Sequence, residues 1–556
     1  MNYSAIQHNQ TLIFRQPVAR KSVRFRLLSA RDDIKECSLI FFKRSVPENR
    51  KLAPMLKRTE DAQNCEWIVS ISDNEELRYI KYYFYLIDKE GNTAYYSEAG
   101  VSINEPKSNF FELVQVNPGD LIKLPEKIAS NIYYQIFVER FERTLSREKS
   151  HALNDWNETP TRDNFLGGDL EGIINKLPYL HELGINCIYL TPIFKADFNH
   201  KYATIDYYLV DPDFGDLEVL KNLVNKAHGL GMRIILDGVF NHVGVHFPYF
   251  EDLIVKGEKS KYASWFYCKK FPICIDNKHY ECVGDYPYMP RLNTSNVEVQ
   301  KYILSVMQYW IKTCNIDGWR LDVADELDKN CICFLRTNLK LEYPNIILLG
   351  ETWGDASQML CQNNEMDSVM NYLFRDVMVE YFAHSTINEE QLDSRLQHVL
   401  MKYPQEYCLG MYNCFSSHDT ARFLSESGGE LWRLKLAIAF TILFIGCPAI
   451  YYGEEIGMMG ENDPGCRGGM DWKNPNVEVL NWTKELISFR KQHEAICTGE
   501  YHTLKYDTKN KIFAFERRNS KEKIIAVFNS SEFETDFPAV SGNIKVPAHA
   551  VKIIIE

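Results

Sequence analysis

The sequence predicts an α/β fold: a (β/α)8 barrel with an inserted subdomain after its third strand, an N-terminal β-sandwich and a C-terminal all-β domain. Three observations lead there. The chain has 556 residues, which at roughly 100 to 200 residues per domain corresponds to about three or four domains. From about residue 131 short apolar strands alternate with longer amphipathic stretches, the signature of repeated βα units around a parallel sheet. On either side of that region the pattern is strand-rich and broken by polar turns.

Residues 11–14, 22–28, 38–43, 67–71, 78–87 and 93–96 read as strands separated by turns such as Asp88-Lys89-Glu90-Gly91-Asn92, a spacing that suits a sandwich. Asn117-Pro118-Gly119-Asp120 breaks that pattern and reads as a linker up to Pro125. Eight apolar segments follow at 132–137, 187–190, 233–236, 318–321, 346–349, 368–370, 412–415 and 449–452. Separated by helices, they fit a closed barrel whose active site lies at the C-terminal strand ends. After the third strand the chain wanders over 243–293, and so long an irregular excursion is usually functional. Alternating strands return at 511–516, 523–528 and 550–555. The expected domains are therefore 1–122, 123–242 with 294–498, 243–293 as the insertion, and 499–556.

Composition sets outer bounds. Hydrophobic residues make up 45% and charged residues 25%, the balance of an ordinary globular protein. A net charge of −12 argues against general affinity for phosphate backbones or anionic lipid, so neither nucleic acid nor membrane is an expected partner. The N-terminus, Met1 to Arg20, has no apolar run of signal-peptide type, and a cytoplasmic location is expected. The longest apolar stretch, 436–450, contains Thr441, Gly446 and Pro448 and reads as a buried helix running into a buried strand. Fifteen cysteines, an odd and scattered set, then read as reduced core thiols. The cluster Cys268, Cys274, His279 and Cys282 lacks the tight ligand pairs of common zinc sites, and no metal is expected there.

Carboxylates at strand ends carry the chemistry. The fourth barrel strand ends in Gly318-Trp319-Arg320-Leu321-Asp322, the fifth in Gly350-Glu351-Thr352-Trp353, and the seventh runs into Ser416-Ser417-His418-Asp419-Thr420. In a barrel these three acids face one mouth. Retaining cleavage of a glycosidic bond needs one carboxylate as nucleophile and another as acid and then base, about 5 to 5.5 Å apart. Arg320, two residues before Asp322, lies on the same side of the strand and is expected to keep that acid ionised. Glu351 needs the opposite treatment, a raised pKa, with Trp353 close in sequence. A single strand-end carboxylate would be read as a helix cap; three in distinctive strings are not.

Those strings, with Asp237-Gly238-Val239-Phe240-Asn241-His242, resemble in order and spacing the four conserved regions of the α-amylase family of glycoside hydrolases. The resemblance spans roughly residue 131 to the C-terminus. It implies Asp322 as nucleophile, Glu351 as acid/base and Asp419 as the residue that holds substrate hydroxyls and stabilises the transition state. It also implies hydrogen bonds to sugar from His242 and His418, orientation of Asp322 by Arg320, and structural roles for Asn241 and Asp237. Tyr202, in Asn199-His200-Lys201-Tyr202, resembles the family's stacking tyrosine, with His200 beside it. Trp353 and Glu326 complete the substrate-binding set.

Met289-Pro290-Arg291-Leu292-Asn293 is similar to a string of the neopullulanase, cyclomaltodextrinase and maltogenic amylase subgroup. The N-terminal sandwich is similar to that subgroup's starch-binding-type module, which implies a homodimer through it. Further agreement comes from Gly167-Gly168-Asp169-Leu170, Tyr451-Tyr452-Gly453-Glu454-Glu455 and Asp463-Pro464 followed by Arg467. Asp325 and Ala203 depart from the subgroup's usual Asn and Asp. Phe141-Glu142-Arg143-Thr144-Leu145 lacks the family's calcium-binding oxygens, and although Asn154, Asp155 and Asp169 remain, hard cations need about six. No cofactor is required, and calcium is admitted without being needed. The resemblance implies hydrolysis of α-1,4 bonds in cyclodextrins, maltodextrins or pullulan, with transglycosylation open to a covalent intermediate. The alternatives are an exo-acting α-glucosidase and a noncatalytic glucan-binding protein, the latter expected to have lost acids that all stand here.

Overall fold

The computed structural model describes residues 1–144, 147–361, 365–539 and 542–556. It divides into two compact units: Met1–Leu124 with Asp355–Asn363 and Ile387–Cys408, and Pro125–Gly354 with Asn364–Thr386 and Leu409–Glu556.

The first unit is built on two antiparallel sheets. One orders Arg15–Ala19, Ser22–Ala30, Asn64–Ser72 and Leu56–Glu60. The other orders Lys51–Pro54, Ile34–Lys43, Arg78–Asp88, Thr93–Ser97 and Gly100–Ser102, with Phe111–Gln115 also paired to Arg78–Asp88. The alternation of each strand sends Val23, Phe25 and Leu27 from the first sheet and Leu39, Phe84 and Leu86 from the second into one core. The strand expected at 11–14 is instead a turn. Asn9 Oδ1 accepts the Thr11 N–H at 2.9 Å, and the Thr11 carbonyl accepts from Phe14 and Arg15, so local bonding displaces the ladder until Arg15.

In the second unit the strands β1 (Tyr133–Ile136), β2 (Cys187–Leu190), β3 (Arg233–Gly238), β4 (Gly318–Leu321), β5 (Ile347–Gly350), β6 (Ser368–Val369), β7 (Tyr412–Asn413) and β8 (Cys447–Tyr451) form one parallel sheet. β8 pairs with both β1 and β7, and a parallel bridge between Met370 and Tyr412 closes the ring next to β6. Every residue of β1, β2, β4 and β5 is buried, as parallel strands covered on both faces require. The helices Leu170–Leu183, Leu217–Gly229, Val297–Cys314 and Lys329–Glu342 start at side-chain caps from Asp169, Asp216, Asn296 and Asp328. The helix Leu431–Leu443 runs into β8, as the apolar stretch predicted, and among the described residues no helix is long and apolar enough to cross a membrane.

Two excursions rise above the strand ends. A hairpin, Phe194–Ala196 paired with Thr204–Val210, follows β2 and carries His200 and Tyr202 in its loop; its residues alternate too briefly to be read from sequence. The segment 243–293 holds the helix Pro248–Lys256 and isolated bridges such as Cys282 to Pro290. At the C-terminus Glu500–Asp507, Ile512–Arg518, Lys523–Asn529 and Ala550–Ile555 form an antiparallel sheet beside the hairpin Thr535–Ala539 and Gly542–Val546, around Ile512, Ile525, Val527 and Phe537. All fifteen cysteines are free, ten of them buried.

Candidate active site

The predicted acids converge. A Cβ at Gly318 would lie 2.8 Å from the Ile347 carbonyl oxygen, so glycine lets β4 and β5 run close together and sets Asp322 and Glu351 side by side at their ends. A cleft of about 320 Å³ is lined by both, by Asp419 from the loop after β7, and by His200, Tyr202, His242, Trp353 and His418. Arg320 is fully buried beneath them. Glu326 stands apart from this lining: it accepts from Asn241 Nδ2 at 2.8 Å and lies 3.8 Å from Arg291 Nε.

One guanidinium serves three carboxylates. Arg320 Nη1 donates to Asp237 at 3.0 and 3.1 Å and to Asp322 Oδ1 at 2.7 Å. Nη2 lies 2.7 Å from Glu351 Oε2, oriented as an ion pair rather than a directed hydrogen bond. Asp237 also accepts from the hydroxyls of Tyr189 (2.6 Å) and Tyr202 (3.0 Å), and burial pushes it up to about 6 despite Arg320. Arg320, expected to keep Asp322 ionised, pulls in that direction but is opposed by burial. Burial outweighs the guanidinium, and the nearby Glu351 and Asp237 add to it, so Asp322 sits well above the usual carboxylate range. Glu351 is raised as well, by burial and by Asp419, against the pull of Arg320 and of the Val323 N–H at 2.8 Å. One positive charge faces three buried acids, so Asp322 and Glu351 each hold a proton more readily than an exposed carboxylate does. The directed bond from Arg320 favours the negative charge on Asp322.

Local strain supports the pair. Val323 has φ 39, a left-handed conformation costly for a β-branched residue, and that conformation aims its N–H at Glu351. Trp353 donates from Nε1 to Glu351 at 3.3 Å and stacks on Tyr372 with ring centres 4.0 Å apart.

The histidines are neutral. Burial lowers His200 and His242 to about 3 and His418 well below its usual value, with Arg467 adding to the effect on His418. His418 Nδ1 meets Gln135 Nε2 at 2.6 Å, and its Nε2 meets the Tyr202 hydroxyl at 2.5 Å and Asp419 at 3.2 Å. Among the described residues neither ring nitrogen of buried His242 makes a well-formed hydrogen bond, although the Tyr202 backbone is a polar neighbour, and the side chain lines the cleft. A buried polar ring so poorly satisfied costs stability unless a ligand supplies the bonds.

The residues expected to admit calcium do not fit it. Asp169 Oδ2 accepts from the Lys149 ammonium at 2.7 Å and from Thr144, while Oδ1 caps its helix at Gly172. Lys149 also donates to the Asp213 carbonyl at 2.7 Å, so an ammonium occupies ground where a hard cation would need oxygens alone. Asn154 Oδ1 accepts from Phe165 N–H and Asp155 from Asn157 N–H; Leu145 lies outside the described residues. Among those residues no group of three or more His, Cys, Asp or Glu side chains is gathered as a metal ion would need. Within the cysteine cluster His279 pairs with Asp276 at 2.7 Å, and the Cys268 and Cys282 thiols point to the Ala263 and Gly284 carbonyls.

Sequence reasoning missed part of the lining. Arg162, Tyr286, Tyr288, Asp463 and Arg467 also face the cleft. The Asp463-Pro464 string signalled two of them; the two tyrosines lie in the long insertion, and nothing local marks Arg162.

The profile described as "Alpha amylase, catalytic domain" matches residues 135–474, and that described as "Alpha amylase, N-terminal ig-like domain" matches 1–117. The chain is 43% identical over 457 residues to the cyclomaltodextrinase of Thermoanaerobacter pseudethanolicus, covering 81% of this chain and 79% of that protein. It is 36% identical over 537 residues to neopullulanase 2 of Thermoactinomyces vulgaris, covering 95% and 91%. A solved cyclomaltodextrinase structure superposes with a TM-score of 0.92 at 33% identity, covering 97% of this chain and 93% of that one. The motif order, the barrel with its acids in one mouth, and these matches together place the chain in the α-amylase family of glycoside hydrolases, in the subgroup of cyclomaltodextrinases and neopullulanases.

Proposed function

We propose that this enzyme cleaves α-1,4 bonds of cyclodextrins, maltodextrins or pullulan with retention, through a covalent intermediate. The observation that carries the reading is the shared guanidinium: Arg320 lies 2.7 Å from both Asp322 and Glu351, which supports the closely spaced pair of retaining enzymes, about 5 to 5.5 Å. Asp322 attacks the anomeric carbon as the bond to the leaving oxygen breaks, and Glu351 gives that oxygen its proton. Glu351 then takes a proton from water, which displaces Asp322 and restores both groups; a sugar hydroxyl in place of water gives transglycosylation. Asp419, His242 and His418 hold the sugar hydroxyls and Tyr202 supports the ring. A panel of β-cyclodextrin, pullulan and maltoheptaose tests this: hydrolysis with the α-anomer appearing first by NMR is expected, and turnover of none of the three would refute the reading.

Three further parts of the reading go with it. The enzyme works without calcium, because Lys149 neutralises Asp169. EDTA is expected to leave the melting midpoint unchanged, whereas Lys149→Met, which strands a buried carboxylate, lowers it by about 5 °C, and added calcium does not restore it. A midpoint that falls with EDTA overturns this. The N-terminal module supports a homodimer, for which light scattering should give twice the mass of 64.8 kDa; a monomer mass at working concentration refutes it. The fifteen free thiols suit a reducing cytoplasm, and recovery of the protein outside the cytoplasm on cell fractionation would contradict that.

A further inference from the structure

The cleft's wall can be followed as a closed circuit of contacts. From His418 and Asp419 it passes to Arg467, which donates to the His418 carbonyl at 2.8 Å and to Asp419 at 3.1 Å. Arg467 in turn lies 2.8 Å from Asp463, on the loop after β8. Asp463 lies 3.6 Å from Arg162, on the loop between β1 and the helix Leu170–Leu183. Arg162 donates to the Tyr286 hydroxyl at 3.1 Å and sits 5.7 Å from that ring's centre, reaching the insertion 243–293. Ring contacts of 4.6 to 5.9 Å then run through Tyr288, Phe198 and His200 back to Tyr202, which stacks on His418 at 5.5 Å.

Glu351 takes its hydrogen bonds from Val323 and Trp353, neither of which is a link in this circuit. The circuit runs through Tyr202, His418 and Asp419, the residues assigned above to the sugar that Asp322 attacks, and the leaving group departs toward Glu351, so the circuit borders the donor side. Three loops remote in sequence meet there through one side chain. We infer that Arg162, held between Tyr286 and Asp463, closes the donor end of the cleft and sets how many glucose units fit beyond the cleaved bond. This rests on the hydrolase reading above and adds the residue that gauges product length. Arg162 is half exposed and reaches no reacting atom, so its effect falls on where the chain is cut.

The test follows cleavage positions in maltoheptaose labelled at its reducing end. The wild type is expected to release short donor fragments, chiefly maltose. Arg162→Ala opens the end, and the ratio of fragments of three or more units to maltose is expected to rise about threefold to fivefold, the scale of one partly exposed ion pair. Tyr286→Ala, which removes the other anchor, shifts the ratio the same way, and Arg162→Lys, which keeps the charge near Asp463, restores part of the wild-type pattern. Because the readout is a ratio, a general loss of turnover does not mimic it. An unchanged ratio in both alanine variants, each folded by circular dichroism, overturns the inference while leaving the hydrolase reading intact; a wild type that cuts no α-glucan overturns that reading instead.

Discussion

Asp322→Asn is expected to abolish measurable turnover of maltodextrins, with a loss of about 10⁴-fold or more, the scale seen when a nucleophile is removed. The reason is geometric. Asp322 alone combines a directed bond from Arg320 at 2.7 Å with a place on the cleft wall; Asp237, the other acid bonded to Arg320, is fully buried and committed to two tyrosine hydroxyls. Neutralising Asp322 removes the group that forms the intermediate, while His242, His418 and Asp419 still bind sugar. KM is therefore expected to stay within about threefold as kcat collapses, the pattern of an interaction used only in the transition state. Residual turnover above a tenth of wild type would show that another acid attacks.

Glu351→Gln produces a different signature. Turnover of maltodextrins, whose leaving group needs a proton, falls by about 10³-fold, whereas an aryl α-glycoside with an acidic phenol loses much less in the first step, since general acid catalysis contributes on the order of 10² to 10⁴. The variant also loses the alkaline limb of the pH profile, because that limb reports deprotonation of the acid. Stability moves the other way. Burial raises Glu351 above its ordinary value, so between that ordinary value and the raised one the folded chain holds a proton that the unfolded chain has released. Stability therefore falls as pH rises through that window. Glutamine removes the cost, and the midpoint of the variant at pH 7 is expected to exceed wild type by about 2 °C, the difference shrinking toward pH 4. A lower midpoint at pH 7 would contradict the raised pKa.

Barrel strands were legible because their runs of Ile, Leu, Val and Tyr are short, buried on both faces and separated by amphipathic helices. Edge strands such as Lys51–Pro54 and Leu56–Glu60 were not. Leu52 and Leu56 are mostly exposed, and a strand that pairs at an edge without burying a face leaves no alternation to read. The carboxylates were legible for another reason: a strand end in a barrel points into the mouth whatever the loops do, so Asp322, Glu351 and Asp419 needed only their place in the count. Glu326 followed its motif rather than any such constraint, and Asn241 and Arg291 engage it away from the cleft lining.

By itself the sequence determined the strand count, the order of the motifs, the family and the acids at the strand ends, because each depends on local pattern and on position along the chain. Tertiary structure alone decided that one guanidinium is shared by three acids, so that burial raises Asp322 where proximity to Arg320 suggested the reverse. It also decided that the ammonium of Lys149 stands beside Asp169, and that Arg162 joins Tyr286 to Asp463 across segments 124 and 301 residues away. Charge balance and cleft closure are sums over groups brought together from distant parts of the chain, and no local pattern encodes such a sum.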